Sequence, residues 1–385
     1  MKKLLLLSAL LIFALGFSQT YIPIPDENFE QALIDLSIDS NPVIDGQVLY
    51  DDISQVTNLS ISYKGISDLT GIQAFYSLER LQVGYNNLTS LTFDPWNNTS
   101  LTHLYIDNNQ LINLSFPNNP NLIGLYAHHN QLTNLNITSC TSLRYLAVGQ
   151  NELTSLTLPN SPYLTNLSSE DNYLTNINGL TNISSLRGVL VRNNFLSSLD
   201  VSNSPLVTQL YAENNQLTNL SFNNNNNTNL LFFDVRNNNL TSIDLRGIST
   251  NPTTSDQSDF NFWAADNPNL VCIFVDDIDY FEAFIPNNVN FIPSSAVFVN
   301  NEQQCATAGT EDLSINSFSI YPNPTKEYLN IDCSSLESVF VYNILGKELI
   351  KETSNRINVS SLSNGVYFIK VSDGVNSSTK KFIKD

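Results

Sequence analysis

The chain has 385 residues, of which 42% are hydrophobic and only 14% charged, with a formal net charge of −19. The hydrophobic share fits a folded protein, while the charge falls short of the usual quarter and is replaced by Asn, Ser and Thr. An acid surplus of this size excludes nucleic acid as a partner, because phosphate binding needs a basic stripe.

The first residues carry the marks of a secretory signal over 1–19. Lys2 and Lys3 precede an apolar run from Leu4 to Phe17, and Ser18-Gln19-Thr20 forms a plausible cleavage zone. That run is shorter than a membrane span requires. Nothing later reaches about 18 consecutive apolar residues, so no transmembrane span is expected in the mature chain. No Cys follows the run, which argues against a lipid anchor. Residues 20–55 are expected to form an N-terminal cap. Asp26 is placed to cap a short helix in which Phe29, Ala32, Leu33 and Leu36 share one face.

Residues 56–270 repeat one pattern, Leu-x-x-Leu-x-Leu-x-x-Asn-x-Leu-x-x-Leu. The clearest copy runs Leu101, Leu104, Ile106, Asn109, Leu111, Leu114, Phe116. The first strand position of each unit is Leu59, Leu81, Leu104, Leu125, Leu146, Leu167, Val189, Leu210 and Phe233, at spacings of 21 to 23 residues. A degenerate tenth unit is read at Trp263 and Ala265, after a junction loop around Thr253–Ser258. A unit this short cannot bury its own leucines and must stack on a neighbour. Nine strands at about 4.8 Å would make a parallel sheet roughly 40 Å long. In Leu104-x-Ile106 the apolar pair points inward and Tyr105 outward. Asn86, Asn109, Asn130, Asn151, Asn172, Asn194, Asn215 and Asn238 are expected to form a ladder, because a carboxamide both donates and accepts and so satisfies the backbone of the turn.

These units resemble bacterial leucine-rich repeats of the internalin-like kind, over about half the chain. The resemblance implies an α/β-type leucine-rich repeat solenoid, with a parallel sheet on its concave face and irregular or 3-10 structure on its convex side. It also implies no catalysis and partner binding through the concave face.

Residues 271–306 bring acid and aromatic bulk and are expected to close the solenoid as a C-terminal cap. Four cysteines, Cys140, Cys272, Cys305 and Cys333, allow three pairings, and the sequence does not choose between them. Cys272–Cys305 is favoured because both lie in the closing segment. A loop of that length would stabilise by roughly 3–4 kcal/mol in the chain-entropy model. Cys140 and Cys333 sit in different expected domains and are left out of that pairing. A linker is expected over 307–315.

Residues 316–385 differ in charge, holding seven of the ten lysines. The signal contributes +2 and this segment +1, so residues 20–315 carry −22. Runs at Ser317–Tyr321, Tyr328–Ile331, Ser338–Tyr342, Gly365–Val371 and Lys380–Ile383 alternate with Pro and Gly turns, predicting a small antiparallel sandwich. The segment resembles the type A C-terminal sorting domain of type IX secretion cargo. The matching residues are Tyr321-Pro322-Asn323-Pro324, Val341-Tyr342-Asn343-Ile344-Leu345-Gly346-Lys347, and Leu362-Ser363-Asn364-Gly365-Val366-Tyr367 running on to Val371. That resemblance implies an all-β immunoglobulin-like sandwich, export across a Gram-negative outer membrane by the type IX secretion machinery, and a secreted or surface location.

Chemistry-bearing clusters are scarce. His103, His128 and His129 fall at the strands, but zinc needs a closed set of three or four ligands and only Asp107 is near. Exposed polar residues are the simpler reading. Asp39-x-Asn41 and Asp45-Gly46 fail the calcium-loop spacing and suggest a polar turn. No hydrolase constellation emerges, so neither enzyme nor cofactor is expected. The scarce large and charged residues instead collect at strand positions facing outward. These are Arg80, His103, Tyr105, Asp107, Tyr126, His128, Tyr145, Glu170, Arg192, Tyr211, Glu213, Asp234 and Arg236. Tyr and Arg are favoured at binding hot spots. The expected function is recognition of an extracellular protein or glycan. The alternative is a structural spacer with no discrete ligand, since exposed strand faces accept tyrosine regardless.

Overall fold

The computed structural model describes residues 19–91, 100–222, 230–247, 261–284, 292–308, 318–333, 336–344, 346–372, 374 and 377–385. The expected signal up to Ser18, the junction loop at Thr253–Ser258 and residues 309–315 of the linker lie outside them. The chain divides into two compact units, Met1–Asn300 and Asn301–Asp385.

The first unit begins with an antiparallel pair, Tyr21–Pro23 against Gln47–Leu49, and the helix Glu27–Asp35. One oxygen of Asp26 accepts the N–H groups of Asn28 and Phe29 at 3.0 and 2.9 Å, capping the helix as expected. Its other oxygen accepts from Ser67 and Asp68, tying the cap to the next coil. Burial pushes this carboxyl up, but the hydrogen bonds from Ser67, Phe29 and Asp68 outweigh it and hold Asp26 below the usual range. Phe29, Ala32 and Leu33 are buried, whereas Leu36 ends the helix and stays 45% exposed, so it does not join their face.

Ten three-residue strands then stack in parallel and in sequence order, from Asn58–Ser60 to Asn261–Trp263. Their central residues pair in one row, Leu59, Leu81, Leu104, Leu125, Leu146, Leu167, Val189, Leu210, Phe233 and Phe262. All are at most 1% exposed, and each such side chain contributes about 1.5–3 kcal/mol by burial. The tenth unit exists, but its inward residues are Phe262 and Ala264, one position before the expected Trp263 and Ala265. The convex side is more ordered than expected. Besides 3-10 turns at Ile72–Ala74 and Leu180–Asn182 it carries short parallel pairs, such as Asn113–Ser115 with Asn134–Asn136.

The asparagine ladder forms. Oδ1 of Asn130 accepts the N–H of Leu111 in the preceding coil at 3.0 Å, while its Nδ2 donates to the carbonyls of Ile106 and Ala127. The same geometry recurs from Asn86 to Asn238, and Asn267 adds a further rung, bonded to Leu240, Val235 and Ala264. Immediately before each rung the backbone turns left-handed, with φ between 53° and 58° from Tyr85 to Asp266. Asn and Asp tolerate this region better than other side chains do.

Strands Ser242–Asp244, Cys272–Phe274 and Val297–Val299 form a further parallel sheet. Cys272 and Cys305 are disulfide-bonded, the pairing favoured from the sequence. Cys140 is buried among the leucines, and that burial pushes its thiol up to about 12, leaving it chemically inert near neutral pH.

The second unit holds two antiparallel sheets. One has three strands, Ser319–Tyr321, Tyr328–Asp332 and Arg356–Asn358; the other has four, Ser338–Asn343, Glu348–Glu352, Gly365–Ser372 and Ser377–Lys384. Phe318, Leu329, Val341, Ile357, Ile369 and Phe382 lie in their common core. The strands Glu348–Glu352 and Arg356–Asn358 are additions to the sequence reading. Among the described residues, no helix is long and apolar enough to cross a membrane.

Candidate ligand-binding face

In each strand of the ten-stranded sheet the middle residue is buried, and the residues on either side of it project from the outer face of the sheet. The alternation follows from the two-residue period of extended chain. Pairing therefore sets Arg80, His103, Gly124 and Tyr145 in one row and Gln82, Tyr105, Tyr126 and Ala147 in the next. Beyond the strands, Asp107, His128, Glu170, Arg192, Glu213 and Arg236 continue the same face, three residues past the inward strand residue.

At the N-terminal end these rows make an aromatic stack. The rings of Tyr105 and Tyr126 are parallel within 1° at 4.5 Å between centroids. Neighbouring strands are about 4.8 Å apart, so this stack runs along the sheet. Arg80 covers the other face of Tyr105, 5.6 Å from its centroid, and Nη1 donates to the phenol oxygen at 3.1 Å. His103 lies 6.4 Å from Tyr105 and nearly parallel to it. Burial, then the charge of Arg80, lowers the His103 pKa, which favours the neutral ring. Burial, then Tyr105, raises the Tyr126 phenol. Gly124 makes room: a β-carbon there would stand 3.0 Å from both His103 and the Tyr126 ring. Tyr145 stands beyond the stack, 41% exposed.

Glycines also decide where the acids lie. A β-carbon on Gly84 would come within 2.8 Å of Asp107, and one on Gly149 within 2.8 Å of Glu170, so each carboxylate leans over a glycine of the preceding coil. Asp107 sits 3.8 Å from His128, and Glu170 accepts from Ser168 at 2.7 Å.

The C-terminal end is charged rather than aromatic. Asp234 is buried and clasped by Arg236, whose Nε lies 3.0 Å away and whose guanidinium rests 5.9 Å from the Trp263 ring. That hydrogen bond to Asp234 raises the Arg236 pKa further. Arg192 reaches Glu213 at 3.7 Å. Burial raises the Glu213 carboxyl, and its Oε2 is enclosed with no hydrogen-bond partner among the described residues. Burial and then Asp234 raise the Tyr211 phenol, which packs 6.3 Å from Phe232.

The sequence-derived candidates thus fall into two groups, Arg80 to Tyr145 and Arg192 to Arg236, with Glu170 between them. Asp234 is largely spent on Arg236, and Trp263 joins the face as a residue the one-position slip had turned inward. Among the described residues no group of three His, Cys, Asp or Glu side chains is placed to hold a metal. Around Asp39 the polar turn is closed by protein groups: Glu30 accepts the N–H of Asp45 and Gly46, and Asp52 that of Ser40.

Comparison with known proteins agrees with both units. Residues 319–385 match the secretion system C-terminal sorting domain family. No curated protein matches the chain. Among solved structures, the functional domain of InlJ from Listeria monocytogenes, which includes a cysteine ladder, aligns over 95% of this chain and 99% of that one, with a TM-score of 0.53 and 17% identity. An internalin (inlF) from the same species aligns over 74% of this chain and 94% of its own, at 18% identity and a TM-score of 0.48. YopM from Yersinia enterocolitica aligns over 57% and 47%, at 27% identity and a TM-score of 0.41. The body is an internalin-like leucine-rich repeat solenoid, and the chain ends in a secretion sorting domain.

Proposed function

We propose that this is a non-enzymatic leucine-rich repeat protein, exported by type IX secretion to the surface or exterior of a Gram-negative cell, that binds an extracellular protein or glycan on the concave face of its sheet. The observation that carries this reading is the ordered cluster of Arg80, His103, Tyr105 and Tyr126 on a rigid sheet, with Arg192, Tyr211 and Arg236 further along the same face. Large side chains already fixed by their neighbours lose little entropy on binding, which is what a hot spot requires. Changing Tyr105, Tyr126 and Tyr211 together to Ala should weaken attachment of the purified protein to its host surface by more than about tenfold. Unchanged attachment with unchanged stability would favour the spacer function instead. The sorting domain implies a signal removed after export. Mass spectrometry of secreted material should therefore find a C-terminus well before residue 319, and an intact Asp385 would contradict the route.

A further inference from the structure

We propose a second ligand site, on the edge of the solenoid where the chain turns after each strand: a saccharide subsite taking one pyranose unit of a neutral glycan. It uses none of the sheet-face residues and does not depend on that reading. A cleft of about 400 Å³ opens there between neighbouring turns, within the size range of small-ligand sites. Its walls combine two chemistries. Tyr173 and Phe195 stand side by side, their rings within 11° of parallel and 6.2 Å apart, and they are 53% and 45% exposed. The lining also holds a chain of amides: Asn214 donates to Asn193 at 2.6 Å and Asn193 to the Asp171 carboxylate at 2.6 Å, while Asn237, outside the cleft, extends the row by donating to Asn214 at 2.8 Å.

The position after each inner-ladder asparagine from Asn86 to Asn238 is Asn87, Gln110, Gln131, Glu152, Tyr173, Phe195, Gln216 and Asn239, and Pro268 follows the last rung, Asn267. Only the two coils that border this cleft place an aromatic ring there. An aromatic pair half open to water is costly as mere surface and useful only against something apolar. A sugar ring offers such a face in its axial C–H groups, while its hydroxyls suit an amide row whose bonds all run toward one carboxylate and reinforce one another. Each Asn Nδ2 carries a second hydrogen beyond the one used in the row. The lining has no Lys or Arg, and Asp171 is its acid, so phosphate, sulfate and acidic sugars are disfavoured. Leu, Ile, Val and Met are also missing from the lining, which leaves a protein partner without the aliphatic anchors it would seat there.

Saturation-transfer NMR on the full chain, with cellotetraose, chitotetraose and maltotetraose as probes, tests the assignment. Irradiating protein aromatic protons should pass magnetisation to the axial ring protons of at least one probe. Y173A/F195A should weaken this by about tenfold. N193G keeps both rings and the left-handed turn at φ 54° but removes the amide that links Asn214 to Asp171, and should weaken it by about fivefold. Y105A/Y126A should leave it unchanged and at the same time test the sheet face. The proposal is overturned if no probe receives magnetisation, if Y173A/F195A or N193G binds as wild type does, or if Y105A/Y126A abolishes transfer. Loss of a captured protein in Y173A/F195A without sugar transfer would likewise overturn it. Both ring positions are half exposed, so their Ala variants should fold, with the thermal transition as control.

Discussion

Two rows of hydrogen-bonding side chains run along the repeats one residue apart, and the molecule uses them in opposite ways. The inner row, Asn86 to Asn267, is at most 9% exposed, and its amides bond to backbone groups in two successive coils. The outer row, Asp171, Asn193, Asn214 and Asn237, is exposed or half-exposed and bonds side chain to side chain. The difference is water. Where turn N–H and C=O groups are sealed from solvent, the amide is the only partner they can have; where solvent reaches, it can be exchanged for another group at little cost.

The largest expected effect lies on the inner row. Asn151 accepts from Leu132 and donates to Ala127, Val148 and Gly149. Asn151→Leu would strand these groups without water and should cost about 3 kcal/mol. Urea unfolding measures it, and a loss below about 1 kcal/mol would show that the turns find other partners. The matched change on the outer row, Asn214→Gly, which suits the left-handed turn at φ 58°, should shift stability by less than about 0.5 kcal/mol. Equal costs for the two would erase the distinction between structural and available amides, and with it the reason to look for a ligand at the outer row.

Most of this arrangement was legible in the residues, because a solenoid writes its core once per coil. The inner row stands five residues after each inward strand residue, from Leu81 and Asn86 to Phe233 and Asn238. That same offset would have set the tenth register correctly, since Phe262 leads to Asn267 whereas Trp263 leads to Pro268. Apolar alternation alone fits either choice, and the longer interval before this coil hid the period. Leu36 was misplaced for a similar reason: helical spacing continued past the residue where the cap ended the helix. The outer aromatics were visible as the two rings in a column that is otherwise polar from Asn87 to Asn239. Their exposure and their cleft depend on the left-handed turn beside them, which no composition reveals. On the sheet face, position was readable but commitment was not, because only the folded chain brings Arg236 onto Asp234.

Glu213 is the place where the rule about water is strained, and it gives the smallest and most specific test. Its Oε2 is enclosed without a donor among the described residues, and burial raises its pKa. A carboxyl raised on folding lends its stability below the unfolded value, near 4.3, and loses it as pH rises through the folded value. At neutral pH the wild type therefore carries a penalty that a neutral side chain would not. Glu213→Gln should be more stable at pH 7 by less than about 0.5 kcal/mol, a figure kept small because Arg192 and solvent both screen the charge. The advantage should vanish as the pH falls toward 4. Thermal melts at pH 4 and pH 7 read the sign directly. If the variant is instead less stable at pH 7, then the ion pair with Arg192 outweighs desolvation, and Glu213 belongs with the satisfied groups of the inner row.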